Sequence, residues 1–156
     1  AEGATLELLP ELIARSVRIK RDVVETDEFE TGDRMLLNFG HTFGHAIERL
    51  SHYEILHGNA VAIGMVIATK IAEKIDFVKE PCSERIIKAL QKNHLPTDCI
   101  YDAAKLALTA LSDKKRRGDK ITLVLPRTIG IAERYPIQIG DLPELIALGL
   151  DEGGRL

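Results

Sequence analysis

The sequence contains no tryptophan and is only 4% aromatic, so it lacks the rings that stack on the bases of single-stranded nucleic acid. It has no excess of positive charge either. The formal net charge is -3, which offers no basic field to a polyanion. Cysteine is scarce: Cys82 and Cys99 lie outside any CxxC pair and away from the candidate histidine ligands. Two such residues cannot form a disulfide framework, and they are expected to be reduced thiols of a cytoplasmic protein. No basic segment leading into an apolar run opens the chain, so no signal peptide is expected. The longest apolar stretch, 60–68, is interrupted by Gly64 and soon followed by Lys70. A membrane span needs about 20 apolar residues, so this run is expected to be a buried helix and no membrane partner is implied. There is no Gly-x-Gly-x-x-Gly and no strand–glycine loop–helix unit, hence no dinucleotide-binding fold and no cofactor-binding residues for one.

What is present is ample for a folded core. The chain is 45% hydrophobic and 29% charged, which excludes disorder as its main state. Its 156 residues fit one domain, spanning 1–156, and its start at Ala1 suggests a piece of a longer protein. Hydrophobic periodicity predicts helices over 6–26, 34–50 and 57–75, a fourth opened by Pro81, and a fifth over 101–111. Pro10 falls in the first turn of the first helix, where its missing N–H is harmless. The acidic segment 27–33 reads as a loop. Short β-branched runs at 121–125 and 129–135 predict a hairpin. Asp141 is placed to cap a last helix with Pro143 in its first turn, and the glycine-rich tail 151–156 is expected to fray. The expected fold is mostly α, a helical bundle-like domain with one small β-hairpin near residues 120–136.

The second helix carries an unusual polar stripe. Projected at about 100° per residue, Arg34, Asn38, His41, His45, Glu48 and His52 share one side, and Leu36, Phe39, Phe43, Ile47 and Leu50 the other. A solvated face is ordinarily built from lysine and glutamate. Asparagine and histidine form helix less well, and Gly40 and Gly44 would each cost about 1 kcal/mol in a helix interior. A close-packed site against another helix would offset those choices. His41 and His45, at i and i+4, can reach one point, which is a zinc-ligating spacing. His57, at the start of the next helix, can return beside them to make a third donor. Elsewhere, Lys20 lies within the apolar arc of the first helix made by Leu9, Leu12, Ile13, Val17, Ile19, Val23 and Val24. It either snorkels past the core edge or points at an anionic or hydroxylated ligand. Lys114 and Lys115 open a basic run that is either a solvated turn or a phosphate contact.

Taken together, the blocks Asn38-Phe-Gly-His41-Thr-Phe-Gly-His45-Ala-Ile-Glu48 and His57-Gly-Asn-Ala-Val-Ala-Ile-Gly-Met65 resemble the 3-dehydroquinate synthase family. Asp113-Lys-Lys and Leu125-Pro-Arg-Thr-Ile-Gly130 extend the resemblance, which runs from about residue 20 to residue 131. It implies a C-terminal metal- and substrate-binding portion, with an NAD-binding domain and a carboxylate metal ligand lying outside this chain. It further implies a lyase reaction in which 3-deoxy-D-arabino-heptulosonate 7-phosphate becomes 3-dehydroquinate and phosphate, a step of the shikimate pathway. The resemblance makes His41 and His57 ligands of zinc or of another divalent metal such as cobalt. It makes His45 a phosphate-side, proton-handling residue, where spacing alone pairs His45 with His41. It sets Arg34, Asn38 and Lys20 toward the substrate carboxylate and hydroxyls, and Lys114 or Lys115 toward its phosphate. A homodimer is expected from the family's habit, and weak zinc binding without turnover from the isolated chain. Three other readings remain: a sister sugar-phosphate cyclase, a metal-dependent polyol dehydrogenase, and a non-catalytic helical interaction module that retains the motif.

Overall fold

The computed structural model describes residues 2–27, 32–112 and 118–151. They form two compact units, residues 1–37 and 38–156. The fold is mostly α, with six α-helices and one two-stranded antiparallel hairpin among the described residues.

The first unit holds α1 (Glu2–Thr26) and most of a 3-10 turn (Asp33–Asn38). Because α1 begins earlier than its periodicity indicates, Pro10 lies inside it rather than in its first turn. The residues ahead of Leu6 extend the helix without adding to the apolar stripe from which its start was read. Much of that apolar arc is exposed, Val17 at 61% and Ile13 at 56%. The carboxylate of Asp27 accepts from the backbone N–H of Gly32 (2.6 Å) and of Arg34 (3.1 Å), closing the end of the acidic loop.

The second unit is built around α3 (His57–Lys74), flanked by α2 (His41–Leu50), α4 (Ser83–Lys92), α5 (Ala103–Ser112) and α6 (Leu142–Gly149). Its core joins Phe43 and Ile47 of α2 with Ile63, Ile67 and Ile71 of α3, and reaches Leu106, Leu125 and Ile146. The hairpin pairs β1 (Lys120–Thr128) with β2 (Ile131–Gln138), Ile121 opposite Ile137 and Leu123 opposite Tyr135. Ile129 stands in the turn with Gly130 (φ 89°), not in the second strand as its β-branching suggests. Both cysteines are free thiols. Among the described residues no helix is long and apolar enough to cross a membrane.

Helical periodicity over 34–50 is continuous in sequence, but the helix is not. The 3-10 turn ends at Asn38, and α2 starts at His41 after Gly40, whose φ is 81°. Gly40 is therefore the N-cap of α2 rather than an interior residue, in a conformation that L side chains rarely adopt. A Cβ on it would stand 2.7 Å from Met65 Cγ and 2.8 Å from the Val61 carbonyl oxygen. A Cβ on Gly44 would meet Val61 Cα at 3.0 Å. The glycines of the motif thus let α2 and α3 approach almost backbone to backbone. His52, assigned by periodicity to the stripe of α2, lies beyond its end in a left-handed turn (φ 53°). Asp141 occupies the N-cap of α6 but makes no side-chain cap bond; a short 3-10 turn (Ile139–Asp141) leads into the helix and holds Asp141 in an α-type conformation.

Two long-range devices fix the rest. Arg127 Nη1 donates to the Phe77 carbonyl, and its guanidinium lies 4.4 Å above the Phe77 ring. The N–H of Lys79 donates to the Arg127 carbonyl (2.7 Å), so the hairpin is fastened to the segment after α3. Glu73 caps α4 from another helix: Oε1 accepts from the N–H of Cys82 and of Ser83, and Oε2 from Ser83 Oγ, each at 2.7 Å. Burial pushes the Glu73 carboxyl up, but these donors and nearby Lys70 outweigh it and hold the carboxyl below its ordinary value. A depressed folded value means that the stabilisation is complete above the ordinary glutamate range and is lost as pH falls through the folded value. Glu73→Gln is expected to lower stability by about 1–2 kcal/mol at neutral pH. Thermal unfolding of both proteins across acidic pH should show the gap closing as wild-type Glu73 protonates.

Candidate functional site

His41, His45 and Glu48 occupy one face of α2, because steps of four and three residues return to the same side of a helix. The opposite side, with Phe43, Ala46 and Ile47, is buried. The chain reverses over 51–56. Ser51 Oγ donates to the Glu48 carbonyl (2.9 Å), which also accepts from the N–H of Tyr53 (2.7 Å). Tyr53 is left-handed (φ 64°), so the reversal is tight and α3 starts directly at His57. Close helix approach and short return together bring three imidazoles into one cluster. The ring centroids are 5.5 Å apart for His41 and His45, 5.3 Å for His41 and His57, and 5.8 Å for His45 and His57.

The pairwise spacing of these rings suits two imidazoles on one transition-metal ion. Two imidazoles bound to one tetrahedral ion through nitrogens at about 2.0–2.1 Å hold their ring centroids about 5 Å apart. The His41 Nδ1 lies 3.3 Å from the Phe39 carbonyl oxygen, and the His57 Nδ1 lies 3.1 Å from Glu48 Oε1. A carbonyl and a carboxylate only accept, so Nδ1 donates in both pairs, and in the neutral ring Nε2 then keeps the lone pair. A second donor set shares His57: ligating atoms of His45, Glu48 and His57 all lie within 4.8 Å of one another. Glu48 was legible as a member of the stripe but was not singled out as a site residue. The signal was its spacing, seven residues after His41 and three after His45.

Lys20 is exposed on α1 and Arg34 is half-buried in the 3-10 turn; both belong to the first unit. Asn38, half-buried, ends that turn and belongs with the histidines to the second unit. Because the helix breaks at Gly40, Arg34 and Asn38 do not share the helical face of α2. Lys114 and Lys115 lie outside the described residues, as does the tail beyond Asp151. A cavity of about 460 Å³ is lined by Ile47, Ile55, Leu56, Ile63, Ile100 and Tyr101 among others, and by none of the site histidines.

Comparison with known proteins agrees with the motif blocks. The 3-dehydroquinate synthase C-terminal family model matches residues 2–116. A 3-dehydroquinate synthase of Clostridium perfringens is 47% identical over 126 residues, 80% of this chain and 36% of that protein. One from Crocosphaera subtropica is 42% identical over 154 residues, 97% of this chain and 41% of that protein. The chain therefore spans well under half the length of these relatives. Among solved structures, the 2-epi-5-epi-valiolone synthase of Streptomyces hygroscopicus, with NAD+ and Zn2+ bound, superposes with a TM-score of 0.75 at 26% identity. That match covers 97% of this chain and 41% of the synthase. On the extent of the family match and the identity to curated relatives, this chain belongs to the 3-dehydroquinate synthase family and carries its C-terminal domain.

Proposed function

We propose that this chain is the metal- and substrate-binding part of a carbon–oxygen lyase that converts 3-deoxy-D-arabino-heptulosonate 7-phosphate to 3-dehydroquinate and phosphate. The convergence of His41 and His45 on one face of α2 with His57 at the start of α3 carries this reading. His41 and His57 are read as ligands of zinc or cobalt, each presenting Nε2. When bound, the ion would supply a Lewis acid to a substrate hydroxyl during its oxidation by NAD. His45 then stands beside the ligand pair as the group that handles a proton and meets the phosphate. Arg34, Asn38 and Lys20 are assigned to the carboxylate and hydroxyls, and Lys114 or Lys115 to the departing phosphate. Oxidation next to the carbon that loses its proton makes phosphate elimination accessible, so positioning by these cations contributes much of the rate.

NAD and a further carboxylate ligand are assigned to polypeptide outside these residues, and the substrate, that polypeptide and a second copy are the proposed partners. The free thiols of Cys82 and Cys99 and the polar substrate support a cytoplasmic reaction. The test is phosphate release from the seven-carbon substrate, with NAD and Zn2+ present. This chain alone should show none, and supplying the NAD-binding part should restore it. Release from another phosphorylated sugar instead would identify a sister cyclase, the reading that the valiolone synthase likeness favours next.

A further inference from the structure

We propose that Glu48 is the positioning residue of this metal centre: its carboxylate holds His57 in the Nδ1–H tautomer and so directs Nε2 to the ion. The proposal rests on the reading of His41 and His57 as ligands. His57 is the first residue of α3 and its side chain is 56% exposed, so packing does little to fix the ring. The Glu48 side chain is only 14% exposed, and its backbone is tied at the end of α2 by Ser51 Oγ and the N–H of Tyr53. The carboxylate is thus the fixed member of the pair, and the imidazole is the one oriented. An exposed histidine–glutamate pair contributes little stability by itself. What it can do here is choose which ring nitrogen carries the proton, and that choice decides which nitrogen can ligate.

His41 reaches the same state by a different route, through the backbone carbonyl of Phe39. The two histidines therefore present equivalent nitrogens. Only the arrangement at His57 depends on a side chain that substitution can remove. Glu48 could serve instead as a ligand itself, since its oxygen lies within 4.8 Å of the His45 and His57 donors. The two roles make opposite predictions for an amide. A glutamine oxygen still accepts from Nδ1–H but is a poor ligand, whereas alanine removes both functions.

The experiment begins with ring-nitrogen NMR of the zinc-free chain at a pH that keeps the imidazoles neutral. His57 should carry its proton on Nδ1 in wild type and in Glu48→Gln, and move it to Nε2 in Glu48→Ala. Competition for Zn2+ against a chromophoric chelator, run on the complete enzyme that supplies the further carboxylate ligand, should then show Glu48→Ala weakened about 10- to 100-fold, with Glu48→Gln close to wild type. An unchanged His57 tautomer in Glu48→Ala overturns the proposal. So does a Glu48→Gln loss as large as that of alanine, which would make Glu48 a ligand. A complete enzyme that keeps the Glu48-dependent tautomer yet takes up no zinc overturns the metal reading beneath it, and leaves the pairing itself intact.

Discussion

Gly64→Ala is expected to destabilise the second unit by about 3 kcal/mol or more, at the upper end of what over-packing costs. An ideal Cβ on Gly64 would lie 2.1 Å from the Gly40 carbonyl oxygen, 2.9 Å from the Gly44 nitrogen and 3.1 Å from the Gly40 carbonyl carbon. All three are backbone atoms, so no rotamer change can relieve the contact. The two helices must separate, and Gly40 cannot swing away because its left-handed φ is what turns the chain into α2. Gly58→Ala is the control within the same helix. Nothing lies within 4 Å of a Cβ there, and the gain in helix propensity is up to about 1 kcal/mol. Urea unfolding of the two variants should therefore move in opposite directions from wild type. A Gly64→Ala cost below about 1 kcal/mol would mean that the crossing relaxes readily, and that the glycines do not hold His41 and His57 together.

That crossing also marks where sequence reasoning stops. The helical stretches and the hairpin were legible because each is set by local periodicity, and α3 was legible as buried because its early residues are nearly all apolar. The break at Gly40 was not, since the apolar spacing runs unbroken across it and the cause lies in Gly64, Val61 and Met65 of another helix. The cap that Glu73 places on Ser83, and the seat of Arg127 on Phe77, are likewise contacts between distant residues that no local pattern encodes. At the site, the candidate histidines were legible from their motif blocks. Which nitrogen each presents was not, because it depends on the Phe39 carbonyl and on Glu48. The exposed apolar arc of α1 makes a further point. Periodicity gives a face, but only packing says whether that face is covered, and Val17 and Ile19 here are not.

Replacing His57 by alanine in the complete enzyme is expected to lower phosphate release on the order of 10³-fold or more. The lost Lewis acid is worth several kcal/mol in the transition state, and each 1.4 kcal/mol is about tenfold in rate. His41→Ala should behave in the same way and should also empty the site of zinc, measured as metal per chain after gel filtration. His45→Ala is the informative comparison. If His41 and His57 are the ligands, this variant keeps its zinc and loses turnover through the proton and the phosphate alone. If the metal instead sits among His45, Glu48 and His57, the pattern inverts: His45→Ala loses zinc and His41→Ala keeps it. The geometry admits both sets, because His57 belongs to each and the His41 and His45 rings stand at similar distances from it, 5.3 and 5.8 Å. The Nδ1 contact of His41 with the Phe39 carbonyl supports the first set, and the close donor atoms of His45, Glu48 and His57 support the second. The Phe39 contact leaves His41 with a directed Nε2 lone pair of the kind His57 has, and a ligand so prepared loses little freedom when the ion arrives.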